Sequence, residues 1–116
     1  MRAALEIVAI VASWNNERRT VNLDPIRIGI SITTGTVILG IVGDTTRMEY
    51  TIIGDPVNLA AKLDKQCKVE NCTILATEDA LNLAVKQGFS SREHSRILNN
   101  RSVAGVAEPV NLAIIK

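Results

Sequence analysis

Aromatic side chains are scarce in this sequence, which has one Trp, one Tyr and one Phe among its 116 residues. Proteins that bind single-stranded nucleic acid stack bases on aromatic rings, and nucleic-acid-binding domains in general carry an excess of basic charge. Here 13 basic and 12 acidic residues leave a net charge of only +1. The composition therefore argues against nucleic-acid binding, and the core has to be built from Ile, Val, Leu and Ala.

Soft metal ligands are equally few, because the chain has two cysteines and one histidine. Four residues separate Cys67 from Cys72, which is neither a redox CxxC motif nor half of a recognisable zinc site. We therefore predict reduced, structural thiols in a cytoplasmic chain, and a surface role for His94. No apolar run approaches the roughly 20 residues that span a bilayer, so we expect no membrane segment in this chain.

The hydrophobic fraction of 47% and the length suit one globular unit over residues 1–116, with no linker or internal repeat. The order α-β-β-β-α-β-α-β-β predicts an α+β fold, one sheet with helices packed on it. The first two strands are expected to form a β-hairpin. The predicted helices cover residues 2–19, 56–67 and 78–87, and the predicted strands cover 26–32, 36–42, 48–53, 73–76, 89–98 and 109–115.

Capping residues support the second and third helices. Asp55 is a favourable N-cap residue, and Pro56 suits the first helical position, where an N–H group has no intrahelical partner. Thr77 is predicted to cap the third helix, whose first turn is acidic, and Gly88 to end it. The polar strand 89–98 is expected at a sheet edge, and residues 99–101 are expected to turn the chain.

The segment from residue 48 to residue 63 is the strongest candidate for chemistry. Thr51 shares a strand face with Ile53, while Asn58 and Lys62 lie four residues apart on one helix face. An amide and a cation near a helix start can bind the sugar and phosphates of a nucleotide. By residue type alone, purely structural roles remain open: Asp55 as a cap, Asn58 as a backbone partner and Lys62 as a solvated side chain.

Three segments together carry a resemblance to a known family: RIGI at 27–30, GTVILGIVG at 35–43 and EYTIIGDPVNLAAKL at 49–63. Weaker matches follow at 73–76 and 105–110. In these segments the chain resembles class III adenylate/guanylate cyclases, most specifically in the third. The resemblance covers nearly the whole chain but only the C-terminal part of the family's catalytic domain, so residues 1–116 are expected to be a partial domain without its N-terminal portion.

The resemblance implies a ferredoxin-like α+β core that dimerises head to tail and binds ATP between two subunits. In the family the ribose 3′-OH attacks the α-phosphate and releases pyrophosphate, with two metal ions, Mg²⁺ or Mn²⁺, on the phosphates. Thr51 falls where the family contacts the purine base, and threonine there resembles bacterial adenylate cyclases rather than guanylate cyclases. Asn58 falls where an asparagine orients the ribose, and Lys62 where a cation stabilises the reacting phosphate.

Three departures from the family pattern accompany the resemblance. The two metal-binding aspartates and a base-selecting lysine would precede Met1, so no metal ligand is expected in this chain. Lys62 stands where an arginine is usual, a point charge in place of a planar fork. Ala104 stands where the family usually has a basic residue before Gly105. Two alternatives are open for Arg101: it substitutes for this missing basic residue, or it is only a turn residue.

The resemblance thus predicts an adenylate cyclase-type domain that makes cyclic AMP from ATP in intracellular signalling. Thr51, Asn58 and Lys62 would form the half-site that contacts the base and the reacting phosphate, completed by a second cyclase subunit, either an identical copy or a complementary half-domain. The chain alone is expected to be inactive. The alternatives are a non-catalytic nucleotide-binding or dimerisation module derived from a cyclase, or a truncated product without a role of its own.

Overall fold

The structure, a computed structural model, describes residues 1–90 and 95–116. Within these residues three helices and six strands follow one another in the predicted order. The position predicted for His94 lies outside the described residues. The helices are α1 (Arg2–Thr20), α2 (Asp55–Val69) and α3 (Glu78–Lys86), and the strands are β1 (Ile30–Ile32), β2 (Ile38–Gly43), β3 (Met48–Ile53), β4 (Ile74–Thr77), β5 (Arg96–Arg101) and β6 (Val110–Ile114).

Four strands form the main sheet in the order β1-β4-β6-β5. Strand β1 runs parallel to β4, whereas β6 is antiparallel to both β4 and β5. All four residues of β4 are buried, as expected for a strand covered on both faces, and its sequence ILAT accordingly lacks charge. The α+β class predicted from the sequence is confirmed.

Both faces of this sheet carry a hydrophobic cluster, because alternate residues of β4 point in opposite directions. Ile74 and Ala76 belong to one cluster, with residues of α1 and α3. Leu75 belongs to the other, with Leu63 and Cys67 of α2. Helix α2 therefore packs on one face of the sheet, and α1 and α3 pack on the other.

Strands β2 and β3 form a separate two-stranded antiparallel sheet, with Ile38 opposite Ile53. The prediction of a single sheet is therefore wrong. The prediction of a hairpin between the strands 26–32 and 36–42 is also wrong, because the hairpin joins the second and third strands.

The reason is that β1 is shorter than predicted and is held elsewhere. The amide of Ile30 donates a 2.8 Å hydrogen bond to the Thr73 carbonyl beside β4. Next along the chain, Ser31 Oγ donates to the Ala60 carbonyl at 2.8 Å and Thr33 Oγ1 to the Pro56 carbonyl at 2.7 Å, both on α2. These contacts are distant in sequence, whereas apolar alternation reports only that a segment is extended.

Helix α2 begins one residue earlier than its capping signal predicts. Asp55 is its first residue and Gly54 takes the N-cap position, so the prediction of an Asp55 N-cap is wrong. Gly54 has a φ of +157°, and a Cβ atom there would lie 3.0 Å from the Thr36 carbonyl oxygen. The positive φ and this close approach together favour glycine. Pro56 lies in the first turn, where its missing N–H leaves no intrahelical bond unmade.

Strand β5 lies at the sheet edge, as predicted, but it continues through the residues expected to turn. Its register with β6 is irregular between Leu98 and Arg101. Asn100 has a φ of +52° in this irregular stretch, and its amide donates to Asn111 Oδ1 at 2.9 Å. The polar sequence that suggests a turn is therefore accommodated inside the strand as a bulge.

Helix α3 begins at the predicted residue and ends at Lys86, one residue before the predicted end. The Ala80 amide donates to Thr77 Oγ1 at 3.2 Å, and Gly88, with a φ of +101°, follows the last turn. Glu78 and Asp79 lie at the positive end of the helix. No helix of the described residues is long and apolar enough to cross a membrane.

The Thr77 cap can be tested by substitution. Thr77→Ala should lower the free energy of unfolding by about 1 kcal/mol, because the Ala80 amide at a buried helix start loses its acceptor. Thr77→Ser retains the oxygen and should cost less. Urea denaturation measures both. Equal losses in the two variants would show that the threonine methyl group, and not the cap, supplies the stability.

Candidate functional site

Thr51 lies in the middle of β3, directly opposite Gly40 on β2. It is half-buried, whereas the other residues of β3 are exposed. A Cβ atom at Gly40 would lie 4.0 Å from Thr51 Cγ2. No hydrogen bond of the Thr51 hydroxyl occurs within the described residues, so the hydroxyl can both donate and accept.

Asn58 and Lys62 lie on the exposed side of α2, which begins two residues after β3 ends. The fully buried Leu63 and the half-buried Leu59 belong to the cluster on the opposite side of the same turns. In the part of the chain that the structure describes, the Asn58 side chain makes no hydrogen bond. Its amide group is therefore available to a ligand, and the helix start supplies partial positive charge.

Lys62 has a specific partner that the sequence does not reveal. Its Nζ donates a 2.7 Å hydrogen bond to the carbonyl oxygen of Gly105, in the loop between β5 and β6. The structure thus brings Lys62 and the loop containing Ala104 together across 43 residues of sequence. Among the described residues, no hydrogen bond joins Thr51 to either Asn58 or Lys62.

Arg101 is paired elsewhere. Its Nε atom lies 3.5 Å from Glu70 Oε1, just beyond the C-terminal end of α2. Glu70 also accepts a 2.9 Å hydrogen bond from Gln66 Nε2. The basic residue considered from sequence as a substitute at Ala104 is therefore engaged in a structural ion pair.

Exposed apolar side chains cover the hairpin that leads into the site. Eight residues of β2 and β3 are between 53% and 76% exposed, which is more than half of each side chain. They lie on both faces of the hairpin, and this many exposed large apolar side chains often mark a contact with another polypeptide. They are Ile38, Leu39, Ile41, Val42, Met48, Tyr50, Ile52 and Ile53.

A cleft of about 740 Å³ lies away from these residues, between α1, residues 26–29 and the C-terminal half of α2. Asn15 spans part of its wall, because its side-chain amide exchanges two hydrogen bonds with the backbone of Ile26, at 2.9 and 2.7 Å. The cleft is lined by none of Thr51, Asn58 and Lys62. The candidate site therefore lies outside this cleft, on β3 and α2, which carry Thr51, Asn58 and Lys62.

Two free thiols line this cleft at the end of α2. The Cys72 amide bonds to the Cys67 carbonyl at 3.0 Å and the Asn71 amide to the Lys68 carbonyl at 3.2 Å. With Asn71 at a φ of +52°, this is a Schellman motif. Burial raises the pKa of both thiols, that of Cys72 to about 12, with the neighbouring Cys67 acting in the same direction. The prediction of structural thiols remains consistent with this environment.

Hard metal ions need several oxygen ligands at one point. Among residues 1–90 and 95–116, no three His, Cys, Asp or Glu side chains converge. Asp55 is exposed in the first turn of α2. The described residues therefore do not fit a Mg²⁺ or Mn²⁺ site, and we assign no step of a reaction to a metal held by them.

The sequence is similar to those of known nucleotide cyclases. The profile of the adenylate and guanylate cyclase catalytic domain matches residues 1–105. The adenylate cyclase of Anabaena cylindrica is 37% identical over 97 residues, which are 79% of this chain and 19% of that protein. Adenylate cyclase 1 of Rhizobium meliloti is 29% identical over 117 residues, 95% of this chain and 18% of that protein. The chain thus spans about a fifth of these relatives.

Solved structures agree with these similarities. The adenylyl cyclase CyaB from P. aeruginosa superposes with a TM-score of 0.72 at 25% identity, covering 98% of this chain and 56% of that one. A bacterial light-regulated adenylyl cyclase superposes with a TM-score of 0.73 at 22% identity, covering 100% of this chain and 32% of that one. Because the light-regulated enzyme is less than 25% identical in sequence, its similarity shows a shared fold only.

The raised thiol pKa values predict a pH dependence of stability. The folded chain retains the Cys72 proton up to a pKa of about 12, whereas the unfolded chain releases it near the ordinary value of 9.0. The protonated Cys72 thiol therefore makes its full contribution to the free energy of unfolding below pH 9, and this contribution is lost as the pH rises towards 12. The free energy of unfolding of the wild type should therefore fall more steeply between about pH 8.5 and 10.5 than that of Cys72→Ser. Parallel pH profiles would contradict the assigned burial effect.

Proposed function

The chain belongs to the adenylate and guanylate cyclase catalytic domain family, and we propose that it takes part in converting ATP to cyclic AMP and pyrophosphate. In this proposal residues 1–116 are the C-terminal portion of the catalytic domain and supply the half-site that contacts the base and the reacting phosphate. The observation that carries it is that Asn58 and Lys62 are exposed on one side of α2, where Lys62 is hydrogen-bonded to the Gly105 carbonyl, while Thr51 is half-buried on the preceding strand β3.

Each of the three side chains has a role suited to its chemistry. The Thr51 hydroxyl donates to and accepts from the polar edge of adenine. The Asn58 amide orients the ribose, so that its 3′-hydroxyl lies in line with the α-phosphate. The Lys62 ammonium stabilises the negative charge that develops on the phosphate as the 3′-oxygen attacks and pyrophosphate leaves.

The exposed apolar side chains of the hairpin support the proposal that a second polypeptide binds at this site. Covering the apolar side chains of β2 and β3 would remove them from water, and each buried square ångström of apolar surface contributes about 25 cal/mol. We propose that a second cyclase subunit, an identical copy or a complementary half-domain, covers this surface and faces the bound ATP. The Mg²⁺ or Mn²⁺ ligands would be carboxylates from outside this chain. The chain alone would then make no cyclic AMP. We also propose that the cyclic AMP made by the complete enzyme serves signalling in the cytoplasm.

The base-contacting role of Thr51 has a direct test. A chimera in which this chain replaces the matched region of the Anabaena cylindrica adenylate cyclase provides the complete enzyme; we call it the chimera. Thr51→Cys should shift the ratio of kcat/KM for ATP and GTP, because the group facing the base edge changes. Thr51→Ser keeps the hydroxyl and should preserve the ratio. An unchanged ratio in the cysteine variant would exclude Thr51 from base selection.

Asn58 and Lys62 should act mainly in the transition state. In the chimera, Asn58→Ala and Lys62→Ala should each lower kcat by about 10²-fold, since losing one such contact costs on the order of 3 kcal/mol, with a smaller effect on ATP binding. Lys62→Arg keeps the cation and should retain or raise activity. Lys65→Ala, which removes another exposed cation of α2, serves as the control. Normal turnover of both alanine variants would leave these residues as helix surface only.

A further inference from the structure

The loop between β5 and β6 is anchored beneath Lys62. Val103 is 2% exposed, and its carbonyl accepts a 3.0 Å hydrogen bond from the Val106 amide. Both valines pack in the cluster that contains Leu63, the residue next to Lys62. The turn formed by residues 103–106 is therefore fixed against α2 by buried apolar contacts and not only by the lysine.

Gly105 occupies the exposed corner of this turn. Its carbonyl accepts the 2.7 Å hydrogen bond from Lys62 Nζ. Its φ is +83°, and a Cβ atom would lie 3.3 Å from Lys62 Cε and 3.5 Å from Cδ. Two independent constraints, the backbone conformation and the close passage of the lysine side chain, thus favour glycine at this position.

We propose that Gly105 is a positioning residue that orients the Lys62 ammonium group towards the nucleotide phosphate. The proposal rests on the proposed function of Lys62. An ammonium has three N–H donors, so a bond to Gly105 leaves two for phosphate oxygens. Lysine carries its charge on a flexible stem and lacks the planar fork of arginine. A carbonyl on a fixed turn limits that freedom before ATP binds, which is the requirement for preorganised stabilisation.

The first measurement tests the contact in the chain itself. Under limiting reductive methylation followed by mass spectrometry, Lys62 should react several-fold more slowly than Lys65, which is exposed on the same helix and makes no hydrogen bond among the described residues. This comparison within the wild type needs no substitution and no catalytic activity. Equal reactivity of the two lysines would overturn the proposal.

Gly105→Ala should abolish the difference in methylation rate between Lys62 and Lys65, because the alanine methyl group crowds the Lys62 side chain and disfavours the positive φ. Gly88→Ala is a matched control. Gly88 also has a positive φ, +101°, and its carbonyl also accepts a bond from a cation, Arg2 Nη2 at 3.1 Å, but it follows α3 on the other face of the sheet. Continued protection of Lys62 in Gly105→Ala would also overturn the proposal.

Kinetics of the chimera separate this inference from the proposed function. Gly105→Ala should lower kcat about tenfold with little change in KM for ATP, whereas Gly88→Ala should keep the wild-type kcat. If Lys62→Ala loses activity but Gly105→Ala does not, Gly105 has no positioning role and the proposed function stands. If Lys62→Ala keeps full activity, the catalytic role of Lys62 fails, and the positioning role of Gly105 fails with it.

Discussion

The burial of Leu63 against the sheet is the contact on which the candidate site depends. Leu63 is fully buried together with Leu75 of β4 and Leu112 of β6. A helix with 3.6 residues per turn that turns Leu63 inward must turn Asn58 and Lys62 outward, towards solvent. The exposure of the polar side chains of α2 thus follows from the rotation that its apolar side imposes.

The same apolar cluster also places the second part of the site. Val103 and Val106 join it from the loop between β5 and β6, so the loop and the helix share one support. The Gly105 carbonyl reaches Lys62 because both are fixed to that support. In contrast, the hairpin of β2 and β3 stands outside both clusters and keeps its large apolar side chains exposed. The part of the site formed by α2 and the loop is therefore held by contacts within the chain, whereas we propose that a second polypeptide covers the hairpin.

Local signals in the sequence were sufficient for most elements, whereas the choice of Thr51, Asn58 and Lys62 as site residues rested on the resemblance to class III cyclases and stays a prediction. The Thr77 cap, the acidic first turn and Gly88 define α3 because capping acts over a few residues. Strand pairing could not be predicted in this way: β1 pairs with β4 through contacts more than 40 residues apart, although alternation favoured a neighbouring partner. The bond from Lys62 to Gly105 was missed for the same reason, since a positive φ and a packed turn are visible only in the folded chain. The one local signal available was Gly105 itself.

We propose that this chain supplies one half of a nucleotide cyclase site and that a second polypeptide supplies the other half. The most direct measurement is cyclic AMP formed from ATP, with Mg²⁺ or Mn²⁺, by the purified chain and by the chimera with the Anabaena cylindrica enzyme. We expect no product above a heat-inactivated control for the chain alone, and we expect the chimera to form cyclic AMP at a rate that Asn58→Ala greatly reduces. Turnover by the chain alone that Asn58→Ala abolishes, or an inactive chimera beside an active parent enzyme, would contradict this proposal.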